Sequence, residues 1–282
     1  MIHRAKKSLG QNFLKSEAIL DKIIAASELT NTDTVLEIGP GLGALTEKLL
    51  NSSKKVIAVE KDDSLFETLT TKFSEFSNLT LINGDILEFD PSTIPSLTLP
   101  QGEGTEHRYK LLANIPYNIT GAIIEKFLST AFQPEMMVLM VQKEVAERIV
   151  AKNKKTGGPG KESILSIAVK AYGTPTYICT VKAGNFVPAP SIDSAVIKIS
   201  NISRSNFENK HHEEVFFQIV KAGFAHKRKT LAGNLKNILE PEIVEQVLQQ
   251  TNIAPNTRAE DLGISDWLKL AHVVYTIQYE RT

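Results

Sequence analysis

The chain has one cysteine, one tryptophan and no net charge. No apolar run reaches the roughly 18 residues needed to cross a membrane. The lone thiol, Cys179, excludes an intrachain disulfide and fits a reducing cytoplasm. It sits in residues 177–181, which read as a strand, so a structural thiol is expected. Residues 1–7 are basic, but a mixed segment follows instead of an apolar one, so no signal peptide is expected. Lys+Arg and Asp+Glu balance at 32 each, which argues against a uniformly basic nucleic-acid binder. The charges are unevenly placed, however. Basic clusters lie at residues 3–7, 152–155 and 226–229, and acidic residues gather over 240–245, so a local basic face stays open.

What is present is enough for an ordinary core: 282 residues, 42% hydrophobic, predict one large or two modest domains. Apolar runs at 35–38, 56–60, 79–82, 109–114, 135–141, 178–183 and 195–199 read as strands. Helices are expected over 44–50 and near 64–73. This alternation predicts an α/β fold, a doubly wound Rossmann-like and mostly parallel sheet. No helix pattern separates the last two strands, so they are expected to form an antiparallel edge. Residues 92–108 and 152–161, punctuated by Pro and Gly, read as loops. Residues 201–212 read as a polar linker, with His211-His212 a solvated pair and no metal site expected. Beyond 213, Val215, Phe216, Ile219 and Val220 share a helical face, as do Val244, Val247 and Leu248. The expected division is a catalytic domain over 1–200 and a small all-helical domain over 201–282.

Three strand ends carry groups suited to a nucleoside. Gly39, Gly41 and Gly43 follow the first strand, where backbone without Cβ can approach a ligand closely. Glu60 ends the second strand, at the spacing from Gly39 of an acidic residue that holds ribose hydroxyls. Asp85 follows the third and can accept a hydrogen bond from an adenine amine. On these features alone NAD remains open, although Gly-Pro-Gly-Leu-Gly is not Gly-x-Gly-x-x-Gly. The fourth strand ends in Asn114-Ile115-Pro116-Tyr117. The Asn114 side-chain oxygen and the Ile115 carbonyl can accept the two hydrogens of an exocyclic amine as its nitrogen gains positive charge. Tyr117 can stack on the base. Phe186, in Phe186-Val187-Pro188-Ala189-Pro190, is expected to cover the other face of a flipped-out base. Together these predict methyl transfer from S-adenosylmethionine to a base amine. Lys227, Arg228 and Lys229 are expected on a helix as an RNA contact, with a solvated face as the alternative.

The motif set resembles the rRNA adenine N6,N6-dimethyltransferase family, in its KsgA (RsmA) branch. The resemblance rests on Lys7-Ser8-Leu9-Gly10-Gln11-Asn12-Phe13-Leu14, Leu36-Glu37-Ile38-Gly39-Pro40-Gly41-Leu42-Gly43, Asn83-Gly84-Asp85, Ala113-Asn114-Ile115-Pro116-Tyr117-Asn118-Ile119, Gln142-Lys143-Glu144-Val145-Ala146-Glu147-Arg148, the Phe186 loop, Phe224-Ala225-His226-Lys227-Arg228-Lys229-Thr230-Leu231 and Arg258-Ala259-Glu260-Asp261-Leu262. It implies S-adenosylmethionine binding by Asn12, Leu14, Gly39, Glu60, Asp85 and Asn114. It implies dimethylation of two adjacent adenosines in a hairpin loop near the 3′ end of small-subunit (16S) rRNA, in a pre-ribosomal particle. A cytoplasmic monomer without metal or membrane attachment is expected, although no residue pattern fixes the oligomeric state. Two loops depart from the family pattern: residues 157–163 lack its usual aromatic–glycine pair, and 99–109 are longer. The rivals are a methylase of one large-subunit rRNA adenosine, a DNA adenine methylase, and an assembly factor without catalysis. The second-domain motifs speak against the first, the single proline of Asn114–Tyr117 against the second, and intact Glu60, Asp85 and Asn114 against the third.

Overall fold

The computed structural model describes residues 6, 9–94, 97–98, 105–106, 109–151 and 160–279. Most of the basic cluster at 3–7, the cluster at 152–155, residues 157–159 of one unusual loop and the greater part of the 99–109 loop fall outside them. In chain order the elements are β1 (Phe13–Leu14), α1 (Glu17–Ser27), β2 (Thr34–Ile38), α2 (Ala44–Leu50), β3 (Lys55–Glu60), α3 (Asp63–Lys72), β4 (Leu79–Asn83), β5 (Leu97–Thr98), β6 (Thr105–Glu106), β7 (Lys110–Asn114), α4 (Thr120–Ser129), β8 (Met136–Gln142), α5 (Lys143–Val150), α6 (Ile164–Tyr172), β9 (Thr174–Val181), β10 (Phe186–Val187), β11 (Ser194–Ser200), α7 (Lys210–Gly223), α8 (Leu231–Leu235), α9 (Pro241–Thr251) and α10 (Ile264–Tyr279).

Seven strands form one sheet in the order β4-β3-β2-β7-β8-β11-β9. The first five are parallel, and β11 runs antiparallel to both β8 and β9. The antiparallel edge expected from the missing helix is thus present, with the last strand inserted between its two neighbours. β2 is buried along its whole length, which explains why its sequence is a run rather than an alternation. Strand order reverses between β2 and β7, so a crevice opens beyond their carboxyl ends. At the opposite end of β7, the buried Lys110 ammonium donates to the Glu28 carbonyl (2.7 Å) and the Asp33 carboxylate (3.0 Å). Two small ladders stand apart: β5 pairs with β6 inside the expected 92–108 loop, and β1 pairs with β10.

The chain divides into two compact units, residues 1–146 with 174–202, and residues 147–173 with 203–282. The chain enters the helical unit twice, at 146/147 and at 202/203. Residues 147–173, placed by the sequence reading in the first domain, cluster instead with the helices. In that second unit the Tyr172 hydroxyl bonds to Glu213, which also pairs with Arg204, and Tyr172 stacks on Phe217. Trp267 lies fully buried and stacked on Phe224. Residues 201–212 are not all linker. Asn209 caps α7 by accepting from the His212 amide, and His212 is 4% exposed and stacked on Tyr275. Only His211 of the pair is solvated. No cluster suited to a metal ion occurs among the described residues.

Candidate active site

The crevice at the sheet's reversal point holds a cavity of about 220 Å³. Gly39, Gly41, Asn12, Leu14, Glu60, Asp85, Asn114 and Tyr117 all reach its wall. Gly39 and Gly41 have φ of +63° and +61°, a region costly to residues with a Cβ. Because the turn is glycine, its amides curl back on the sheet. The Gly39 amide donates to the Val59 carbonyl at 3.0 Å, and the Gly41 amide to Glu60 Oε2 at 3.1 Å. Glu60 Oε1 accepts from the Asp62 amide at 2.9 Å. Burial raises the Glu60 carboxyl above the usual range, and these amides oppose the rise.

Asp85 lies two residues past β4. Lys61 Nζ reaches its Oδ2 at 2.6 Å and the Leu87 amide its Oδ1 at 2.9 Å. The Lys61 contact, then the amide, hold this carboxyl below the usual range. Asn114 ends β7, and its Nδ2 donates to the Asn12 carbonyl at 3.1 Å, leaving Oδ1 as an acceptor. The Ile115 amide donates to the Met140 carbonyl at 3.1 Å, which fixes the backbone that carries the next carbonyl. Tyr117 opens the short 3-10 turn before α4, and its hydroxyl lies 2.7 Å from Ser194 Oγ on β11.

Two expectations are corrected. Phe186 is 2% exposed and belongs to the hydrophobic core with Val181 and Val196. Its pairing with Leu14 across β1–β10 turns the ring inward, so it offers no free face to a base, and the exposed neighbour is Val187. Lys227, Arg228 and Lys229 are exposed, but they occupy the turn between α7 and α8 rather than a helix. Sequence reading also passed over four residues. Glu37 is 1% exposed inside β2, on the cavity wall. Burial pushes its carboxyl up to about 8, with the Thr46 hydroxyl opposing and Glu60 adding, and its Oε2 makes no hydrogen bond among the described residues. One charge in an otherwise apolar strand was the available signal. Gln11, Asp62 and Ser194 gave no such signal. Their roles depend on partners far away in sequence.

The wall offers acceptors: the carboxyls of Glu37, Glu60 and Asp85 and the Asn114 oxygen. Its lysine, Lys61, is paired with Asp85. A pyrophosphate needs donors and cations instead, so this chemistry disfavours a dinucleotide and favours a nucleoside with a cationic part. The family model of ribosomal RNA adenine dimethylase matches residues 2–275. Ribosomal RNA small subunit methyltransferase A of Dehalococcoides mccartyi (strain CBDB1) is 44% identical over 269 residues, covering 95% of this chain and 87% of its own length. The same-named protein of Fusobacterium nucleatum is 40% identical over 275 residues, covering 97% and 98%. A crystal structure of a dimethyladenosine transferase from Plasmodium falciparum superimposes with a TM-score of 0.73 at 30% identity, covering 92% of this chain and 95% of that one. The 23S rRNA methyltransferase ErmE shares the fold, with a TM-score of 0.72 at 24% identity over 94% of this chain and 100% of its own. With a family model spanning nearly its whole length and relatives this similar, the chain belongs to the ribosomal RNA adenine dimethylase family, enzymes that methylate rRNA.

Proposed function

We propose that this enzyme uses S-adenosylmethionine to dimethylate the N6 amines of two adjacent adenosines in a hairpin loop near the 3′ end of small-subunit (16S) rRNA, within a cytoplasmic pre-ribosomal particle. The observation that carries the chemistry is the tie between Asn114 Nδ2 and the Asn12 carbonyl. It commits the amide nitrogen and leaves the oxygen to receive an amine hydrogen beside the Tyr117 ring. The residues present fit the cofactor. A buried carboxyl oxygen on Glu37 has no hydrogen-bond partner among the described residues, and positive-φ glycines leave the turn open to close approach. Glu60 would hold the ribose hydroxyls, Asp85 the adenine amine, and Asn12, Leu14 and Gly39 the remaining edges.

S-adenosylmethionine, when bound, supplies an electrophilic methyl group on its sulfonium. The protein's share is to hold and orient the target. Tyr117 stacks on the adenine. Asn114 Oδ1 and the Ile115 carbonyl accept the amine's two hydrogens, and both bonds strengthen as the nitrogen pyramidalises and becomes positive. Neither acceptor takes up the proton, because the alkylated amine is acidic enough to release it to water. A monomethyl amine keeps one hydrogen for either acceptor, so a second methyl can follow. RNA docks through the second unit, where Lys227, Arg228 and Lys229 stand exposed.

The test maps methylated adenosines in ribosomes from cells with and without the gene, then measures single-turnover methylation of small-subunit particles. The two loop adenosines should lose both methyls without the gene. Asn114→Ala should slow turnover by roughly 10²-fold or more. An unchanged methylation map sinks the substrate, and a wild-type rate for Asn114→Ala sinks the mechanism.

A further inference from the structure

The segment that begins the described chain is held across the cofactor wall at both ends. At its far end, β1 pairs with β10, and the Lys15 amide donates to the Asn185 carbonyl at 2.9 Å. In its middle, the Asn12 carbonyl receives Asn114, and the Phe13 ring covers the glycine turn. A Cβ on Gly41 would stand 3.1 Å from that ring. At its near end both holds converge on one residue. Lys6 Nζ reaches Asp62 Oδ1 at 2.7 Å, and Gln11 Nε2 reaches Asp62 Oδ2 at 2.8 Å. The Lys6 amide donates in turn to Gln11 Oε1 at 2.7 Å, so the two partners are linked to each other.

Asp62 does not reach the cavity wall. Its side chain is fully withdrawn from solvent, which makes an ionised carboxylate costly unless donors surround it. It has them. Besides the two strap contacts, the Ser64 amide and hydroxyl donate to Oδ1 at 3.1 and 2.9 Å, capping α3. Burial pushes this carboxyl upward, but the bonds from Lys6, Gln11 and Ser64 outweigh it and hold it well below the usual range. The backbone amide of the same residue grips Glu60 Oε1. One residue therefore joins three parts: the helix start, the carboxylate that faces the ribose, and the strap that carries Asn12 and Leu14.

We propose that Asp62 is a positioning residue that clasps the strap formed by Lys6 and residues 9–14 over the cofactor cavity, so that cofactor affinity depends on a side chain that never touches the cofactor. The inference rests on the cofactor reading above. Without the clasp, Asn12 and Leu14 must be ordered at the moment of binding, and that ordering opposes affinity. Charge-assisted bonds to a dry carboxylate are the strong kind, so loosening one should weaken binding roughly 10-fold.

The experiment titrates S-adenosylhomocysteine into wild type, Lys6→Met, Gln11→Leu, Asp62→Asn and the Lys6→Met/Asp62→Asn double variant, by calorimetry. It also follows amide hydrogen exchange over residues 9–14 and over α3 in the free proteins. Asn caps helices as well as Asp does, so Asp62→Asn spares the cap while removing the charge. Each single variant should bind roughly 10-fold more weakly, and the double variant no more weakly than Asp62→Asn. Strap amides should exchange faster while α3 keeps its protection. Affinities within twofold of wild type in Lys6→Met and Gln11→Leu would overturn the proposal. So would weakening confined to Asp62→Asn and accompanied by loss of α3 protection, because residue 62 would then be only a cap. A wild-type chain that binds no S-adenosylhomocysteine overturns the cofactor reading instead. The strap exchange, measured without ligand, keeps the two failures apart.

Discussion

Replacing Glu37 by Gln removes one titration from the centre of β2 and keeps the side chain's shape. Burial lifts the carboxyl from its ordinary 4.5 to about 8, with Thr46 opposing and Glu60 adding. The unfolded chain ionises the same group near 4.5. Between those values the folded chain keeps the proton and the unfolded chain releases it. The stability attached to that proton is therefore complete below pH 4.5 and is lost as pH rises through about 8. Each pH unit in the window is worth ~1.4 kcal/mol, so about 3.5 units amount to at most ~5 kcal/mol. Glu37→Gln carries no such slope. Apart from a constant offset, the variant should gain on the wild type by about 1.4 kcal/mol per unit as pH rises above 4.5, and level off above about 8. Native-state hydrogen exchange of β2 and β7 amides reads the difference within the first unit alone, at pH of about 5.5, 6.5, 7.5 and 8.5. Comparing both proteins at one pH cancels the intrinsic exchange rate. The buried amide contributes an offset that does not vary with pH. A stability difference that stays constant across the series would refute the reasoning, because Glu37 would then titrate as an ordinary carboxyl.

Tyr117→Phe keeps the ring and loses the 2.7 Å contact with Ser194, so turnover should fall less than roughly 10-fold. Tyr117→Ala should lose base stacking worth about 1–3 kcal/mol. Equal damage in single-turnover assays would show that the ring face is not what acts. Replacing Lys227, Arg228 and Lys229 together by Ala should flatten the log–log salt dependence of RNA binding by about two to three units and leave S-adenosylhomocysteine affinity alone. An unchanged slope in a filter-binding salt series would make the turn a solvated surface. Gly223→Ala would put a Cβ 2.4 Å from Trp267 Cη2 and 3.0 Å from Leu231 Cδ1, against a ring with no room to move. It should cost the helical unit about 1–3 kcal/mol, read from the fluorescence of the lone tryptophan during denaturation. A wild-type midpoint would show that the helices yield more readily than their packing suggests.

Much of this was legible in the residues, and the reason is local. A parallel strand buried on both faces must be an apolar run, and a glycine turn must follow it if a ligand is to come close. Hence α2 was read over its full extent, and Gly39, Glu60, Asp85 and Asn114 were placed at successive strand ends. What was missed depends on long-range pairing. Phe186 sits in a proline-flanked loop and reads as exposed, yet its pairing with Leu14, 172 positions away, turns it into the core. Residues 147–173 follow a strand and read as part of its domain, but α6 within them packs on α7 and α10. His212 looked solvated beside His211 because one helical step separates a wet face from a dry one. Asp62 stood unremarked before the expected helix near 64–73, because its bonds to Lys6 and Gln11 cross more than 50 residues.

The chain passes from the sheet unit into the helical unit at 146/147, returns at 173/174, and leaves again at 202/203. Neither unit is therefore a continuous stretch of sequence. A truncation ending near residue 202 would keep the whole sheet but carry α6 without the α7 and α10 surfaces that cover it. A fragment beginning at 203 would lack α6 and present the complementary gap. Synthesis meets the same constraint in time. β9 is made before β11, yet β11 must lie between it and β8, so two strand edges stay unpaired until residue 200 has emerged. By then the first piece of the helical unit is already waiting for partners not yet made. For this chain the foldable module is the whole enzyme, and grafting its helical unit onto another methyltransferase would require two splices, one on each side of residues 147–173, besides the junction at 202/203.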